Sequence, residues 1–387
     1  MSSTVFSKKI NGAATHALVI GVGHYLHLPG GSGKKKFPQP EGMAQLKSPP
    51  ASARQFARWL VEEYQSPDRP LASVRLLVSE KTKSAFEFSK KNKVTSKSVG
   101  AADIASVEKA IRDWHKLGEE NPDHLLLFYF CGHGISNGTD LALLTSDFGS
   151  EENGPLNCAL DFRRFHSAME ECNARRQCYF IDACRVGSTL LDKNQGYAGK
   201  PIFNWTGAKP NPGGRMRAGP IFYSTIAGEP AYARPGKASV FTEALLQSLA
   251  GAGAGDEDGP WTIKTTNLQA ALHFLMLEAS RELGISEQQI PNGDHMQQMT
   301  INTVKLPSVP VIVRVQPEQA HEEATLRCEN EAFKQKRLPN AAPWRLTIPT
   351  GTYSFHADFK NAKYKVTTLI NETVRPPYWG KPLKVTP

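Results

Sequence analysis

The sequence predicts an α/β protein: a mostly parallel sheet with helices on both faces, followed by a small all-β domain. Three observations carry this. Short, continuously apolar runs such as Leu125–Phe130 alternate with stretches whose apolar residues recur at helical spacing. Runs that are apolar throughout belong to strands buried on both faces, as in parallel sheets under helices. After Lys305 the helical spacing stops, and short strands separated by turn signals take over.

The elements follow in order. Ala17–Ile20 reads as the first buried strand, and Phe56, Trp59, Leu60 and Tyr64 as the face of the first helix. Val74–Val78 is the next strand, and Ile104, Val107, Ile111, Trp114 and Leu117 mark the next helix. Leu125–Phe130 and Leu141–Leu144 are strands, and Phe162, Phe165 and Met169 lie on a helix. Cys178–Ile181 and Ile221–Ser224 are strands, with helices expected around 240–249 and 266–283. In the tail, strands are expected at Val309–Val315, Ala324–Cys328, Trp344–Ile348, Tyr353–Phe359 and Tyr364–Ile370. Residues 1–14 read as an N-terminal tail, 15–305 as the α/β domain and 306–387 as the β domain. Two long segments, His24–Pro50 and Val186–Pro220, are rich in Gly and Pro; loops of that length in a compact domain are usually functional or disordered.

Composition narrows the function classes. The chain has 387 residues, enough for two or three domains of roughly 100–200 residues. At 40% hydrophobic and 21% charged it can bury a large core. The longest apolar runs are about seven residues, against about 20 for a membrane-spanning helix, so no membrane partner is expected. The start of the chain lacks the apolar stretch of a signal peptide, which points to the cytoplasm and to six free thiols, with no CxxC pair to suggest a zinc ribbon. The net charge of +9 is uneven: residues 1–100 hold 16 Lys/Arg against 6 Asp/Glu. The basic stretches Lys34–Lys36 and Lys81–Lys97 leave a nucleic-acid or acidic-partner surface open, although no aromatic residue interleaves with Lys34–Lys36.

Two strand ends can do chemistry. Leu125–Phe130 runs into Cys131-Gly132-His133-Gly134, and Cys178–Ile181 runs into Asp182-Ala183-Cys184-Arg185. In a parallel sheet both open on the same edge, where ligands and catalytic groups gather. If the strands are neighbours, His133 and Cys184 lie about 5 Å apart, one strand spacing. A thiol with a pKa near 8.5 is only slightly ionised at neutral pH, so a nearby imidazole must take its proton and later protonate the leaving amine. The backbone N–H groups of Gly134 and Cys184 are placed to stabilise an oxyanion, and Gly132 and Gly134 allow close approach of a substrate.

This pairing resembles the caspase and metacaspase family of cysteine peptidases. The His–Cys separation of 51 residues agrees with the roughly 50 expected. "ALVIGVGHY" is similar to the family's first strand, "LKSPPASARQFARWL" to its first helix, "SVFTEALLQSLAG" to a later helix and "QQIPNG" to a late element, so the resemblance spans residues 15–300. It implies a caspase-like sheet and cysteine endopeptidase activity on protein substrates, with His133 as base, Cys184 as nucleophile and Gly134 as an oxyanion donor. It also implies that Asp182 lines the primary specificity pocket and pairs with Arg or Lys of the substrate. One departure is visible. Where metacaspase-like members carry a second acid at the start of the first helix, this chain has Ser52. The resemblance further implies self-processing in Val186–Pro220, at Lys193, Lys200, Lys209, Arg215 or Arg217, and a bacterial stress or antiphage-defence effector switched on by a protein or nucleic-acid partner.

Other features are weaker. No cofactor and no metal are expected: Gly21-x-Gly23 lacks the third glycine of a dinucleotide fingerprint, with Leu26 in its place, and no second ligand pair accompanies Cys131 and His133. Asp256, Glu257 and Asp258 read as a solvated turn, with no dense acidic cluster for calcium. Cys131, Cys158, Cys172, Cys178 and Cys328 read as core or incidental residues, and His24, His27, His166 and His273 as surface or core histidines. The rival functions are a catalytically silent scaffold and a nucleic-acid-binding module built on the basic N-terminal loops.

Overall fold

The computed structural model describes all residues except 1–2, 195, 205–216, 227, 230, 232–235, 258, 285–288, 361–362 and 387. Its central sheet has seven strands: β1 (Thr4–Ser7), β2 (Thr15–Val22), β3 (Leu71–Ser79), β4 (Leu125–Gly132), β5 (Arg176–Ala183), β6 (Ile221–Tyr223) and β7 (Asn292–Asp294). They lie in the order β1-β3-β2-β4-β5-β6-β7. The middle five are parallel, and β1 and β7 close the edges antiparallel. This is the mostly parallel sheet the apolar runs predict. Edge strand β1 lies in the stretch read as a tail. Four residues with one fully buried side chain, Val5, leave no periodic signal.

The chain has α-helices α1 (Ser48–Glu62), α2 (Ile104–Glu120), α3 (Phe162–Met169), α4 (Thr189–Lys193), α5 (Val240–Gln247) and α6 (Thr265–Leu283), and α1 packs on one face of the sheet while α2 and α3 pack on the other. α1 starts on Pro49 and Pro50, which lose nothing in a first turn whose N–H groups have no helical partner. α2 is capped by the Asp103 side chain, which accepts the Ser106 N–H at 2.9 Å. The pleat assigns each side chain to one face. Phe128, Phe130, Tyr179 and Ile181 join Trp114 of α2 and Phe162 and Phe165 of α3 in one core. Tyr129 and Phe180 point the other way, against Phe56 of α1, whose ring lies 4.7 Å and 5.6 Å from theirs. Each such buried aromatic contributes roughly 1.5–3 kcal/mol. The basic stretch from Lys81 to Lys97 folds in part as a hairpin, Phe86–Lys90 with Lys93–Lys97, which buries Phe86 and Phe88 and leaves its lysines exposed.

From β2 the chain passes outward to β3 and returns to β4 on the other side of β2. The carboxyl ends of β2 and β4 therefore flank a topological switch point, where open α/β sheets bind ligands. Segment 23–47 and His133 emerge there. Beyond β4, Gly134–Ser136 pairs antiparallel with Leu141–Leu144 and parallel with Val186–Gly187.

By contacts the chain forms two units, Met1–Leu246 with Leu272–Met299, and Gln247–Ala271 with Thr300–Pro387. In the second unit, Trp344–Pro349, Ser308–Gln316 and Pro382–Lys384 form one sheet, and Lys334–Arg337, Ala324–Glu329, Gly351–Phe359 and Thr367–Val374 another. Val309, Val311 and Val313 from the first share a core with Leu326 and Phe355 from the second. Trp379 stacks on Phe355 at 3.9 Å.

Candidate active site

β4 and β5 pair in register to their ends, where Cys131 lies opposite Asp182 and Gly132 opposite Ala183. The next residues on the two strands are His133 and Cys184. The two strands are parallel neighbours, the condition the sequence set for bringing His133 and Cys184 to one edge.

His133 is held from three directions. Its backbone N–H donates to the Tyr25 hydroxyl at 2.7 Å, and the Tyr25 ring lies 4.8 Å from the imidazole. Its Nε2 is 2.7 Å from the Ala44 carbonyl. A carbonyl only accepts, so Nε2 carries the proton and Nδ1 keeps its lone pair. Gln45, beside Ala44, ties this loop to Tyr25: its Oε1 accepts the Tyr25 N–H at 2.8 Å, and its Nε2 donates to the Tyr25 carbonyl at 3.0 Å. Burial holds the imidazole below its ordinary pKa, against a smaller upward pull from the Ala44 carbonyl. At neutral pH it is an uncharged base.

Cys184 is half-buried, while the other five cysteines are buried. Its Sγ accepts the Ala231 N–H at 3.2 Å. Burial raises its pKa; the Ala231 amide opposes this, and the Asp182 charge adds to it. With the thiol pushed up and the imidazole pushed down, the resting pair is neutral thiol and neutral imidazole. Arg185, the next residue, donates its N–H to the Glu229 carbonyl at 3.3 Å and lays its guanidinium over the Tyr223 ring at 4.2 Å.

Gly134 sits where no side chain fits. A Cβ there would lie 2.6 Å from the Cys184 carbonyl and 3.0 Å from the Ala183 Cβ. Leu144 N–H donates to the His133 carbonyl at 3.0 Å, so Gly134 and Leu143 form a non-hydrogen-bonded pair, and the Gly134 amide is not used by that neighbour.

Asp182 points to the α1 and α5 face of the sheet and is buried. It accepts from the Thr242 hydroxyl of α5 at 2.8 Å, from the Tyr129 hydroxyl at 3.4 Å and from the Ser239 hydroxyl. Burial raises its pKa, and these bonds, with one from Cys131, pull it back. Ser52 joins the same cluster, its Oγ accepting the Ser239 N–H at 2.9 Å. Among the described residues no cation pairs with Asp182. Tyr25, Ser239 and Thr242 lie in the segments ALVIGVGHY and SVFTEALLQSLAG that resemble the family, but the sequence assigned none of them a role, and Ala44 and Gln45 carried no signal at all; they contribute a carbonyl, an amide or a hydroxyl from segments far from either motif.

Several of the expected cut sites can be placed. Lys193 ends α4, and Lys200 is fixed by its backbone, donating to the Ala159 carbonyl at 2.8 Å. Arg217 is half-buried, and Lys209 and Arg215 lie outside the described residues. Among the described residues, three metal-type donors meet in one group, His115 and Glu119 of α2 with Cys172. Cys172 precedes the start of β5, at the sheet edge opposite the one that carries Cys184.

A parallel α/β sheet with an imidazole and a thiol at neighbouring strand ends defines the class, that of caspase-type folds. The chain belongs to the caspase-domain peptidase family: that domain matches residues 14–300. It is 28% identical over 333 residues to an uncharacterized protein of Sinorhizobium fredii, y4kE, covering 81% of this chain and 91% of that one. Among solved structures it is similar to caspase-1 from Spodoptera frugiperda, with a TM-score of 0.41 and 13% identity over 73% of this chain and 86% of the other. It is also similar to protein GSU0716 from Geobacter sulfurreducens, with a TM-score of 0.40 and 16% identity over 73% and 92%. No helix among the described residues is long and apolar enough to cross a membrane.

Proposed function

We propose that the protein is a cysteine endopeptidase working through His133 and Cys184. One observation carries the reading. The Ala44 carbonyl holds the Nε2 proton of His133, so the basic Nδ1 is free for the sulfur that the neighbouring strand supplies. Sγ attacks the peptide carbonyl carbon as its proton passes to Nδ1. The oxyanion takes hydrogen bonds from the Gly134 and Cys184 amides. The C–N bond then breaks, and the Nδ1 proton goes to the leaving amine. Water activated by His133 hydrolyses the thioester and frees Cys184.

The proposed preference is for Arg or Lys before the cut. Asp182 stands two residues before Cys184 at the end of β5, close enough that its charge acts on the thiol. A substrate side chain entering beside the nucleophile would meet a carboxylate now held only by hydroxyl and thiol groups. A bidentate guanidinium would replace those neutral donors with charge-assisted bonds. The test is a fluorogenic peptide panel varying the residue before the cut, with Cys184→Ala as control. Turnover of Arg and Lys peptides that vanishes in Cys184→Ala is expected. No labelling of Cys184 by a thiol-reactive peptide probe, together with no turnover, would replace the peptidase with a silent scaffold.

A further inference from the structure

The Gly/Pro-rich segment between β2 and α1 touches both halves of the site. Ala44 and Tyr25 hold His133. Three residues before Ala44, the Glu41 carboxylate reaches the chain just after Cys184. Its Oε2 accepts the Ser188 hydroxyl at 2.5 Å, and its Oε1 accepts the Thr189 N–H at 3.1 Å and the Thr189 hydroxyl. These residues open α4, whose first turn is closed by Leu191 and Asp192 N–H groups on the Ser188 carbonyl at 3.1 and 3.2 Å. Glu41 adopts φ +49°, a left-handed conformation unusual for a residue with a Cβ. Such backbones persist where surrounding contacts hold them.

We propose that Glu41 is a positioning residue of the proposed Cys184 peptidase: it fastens the chain that follows the nucleophile to the same segment that orients the base. The inference rests on the peptidase reading for its consequence, and on Glu41 geometry for its substance. A cut after Lys193 or Lys200 would leave Ser188 and Thr189 on the nucleophile's side of the break. Glu41 would then hold that new end in place.

The test compares the full chain with Glu41→Gln and Glu41→Gly. Glycine removes the carboxylate and tolerates the left-handed φ, so it separates lost contact from lost folding. Two readouts need no peptidase activity: hydrogen exchange over residues 186–194, and alkylation of Cys184 by iodoacetamide followed by peptide mass spectrometry. The five buried cysteines are internal controls for an intact fold. Expected are exchange faster by about tenfold and Cys184 alkylation faster by several-fold, with the other cysteines silent and with peptide turnover reduced about tenfold mainly in kcat. Unchanged exchange, or faster exchange with unaltered Cys184 alkylation, overturns the inference. If the wild type turns over no peptide, the peptidase reading falls on its own, and exchange and alkylation still decide what Glu41 does.

Discussion

The Ala44 carbonyl and the His133 Nε2, 2.7 Å apart, decide which nitrogen of the imidazole can act as a base. A bond from a loop 89 residues away thus sets the tautomer, and with it the direction in which the ring can accept a proton. This gives the first prediction. Replacing His133 by Ala should lower turnover by about 10²–10⁴, the usual contribution of general acid–base catalysis, and leave the thermal midpoint within a few degrees. Steady-state kinetics and a melting curve check it.

The pH profile follows from the same ring. Burial holds His133 below its ordinary value, so its free-base form persists to lower pH than that of a solvated imidazole. The acid limb of kcat/KM should therefore have its midpoint below 6.5, the value of a solvated imidazole. A midpoint above 7 would contradict the burial described for the ring.

Gly134→Ala forces a methyl group to within 2.6 Å of the Cys184 carbonyl. The two strand ends must separate to admit it, which misplaces the Gly134 amide. Turnover should fall by about 10²–10³, the cost of one oxyanion donor, with KM changed far less.

Asp182→Ala separates specificity from chemistry. Arg and Lys peptides should lose their advantage over Leu or Ala peptides, while a small thiol reagent still modifies Cys184. An unaltered preference would place the pocket elsewhere.

Acid stability depends on two other histidines. Burial is the largest cause that brings both His16 and His166 from 6.5 down to about 4. The unfolded chain takes up their protons first as pH falls. Their contribution is complete above 6.5, declines between 6.5 and 4, and is flat below. Each should cost about 2 kcal/mol of stability by pH 5. His166→Gln should melt with a smaller drop between pH 7 and pH 5 than the wild type.

Much of the fold was legible because buried strands and amphipathic helices write periods into sequence. Leu125–Phe130 and Cys178–Ile181 are β4 and β5, and the helical faces at Phe56 and Trp114 are α1 and α2. Short edge elements such as β1 and β7 were not read, since three or four residues carry no period.

The sequence by itself determined that a histidine and a cysteine each follow a buried parallel strand, because apolar continuity and chain direction are local properties. Only the tertiary structure decided that these strands are neighbours and that Ala44 orients the ring. It likewise brought Ser239 and Thr242 to surround Asp182, and Glu41 to bridge to Ser188 and Thr189 after Cys184. Those contacts are made by backbone groups and short hydroxyls across 40 to 150 positions, and such groups look the same in sequence wherever the chain happens to bring them.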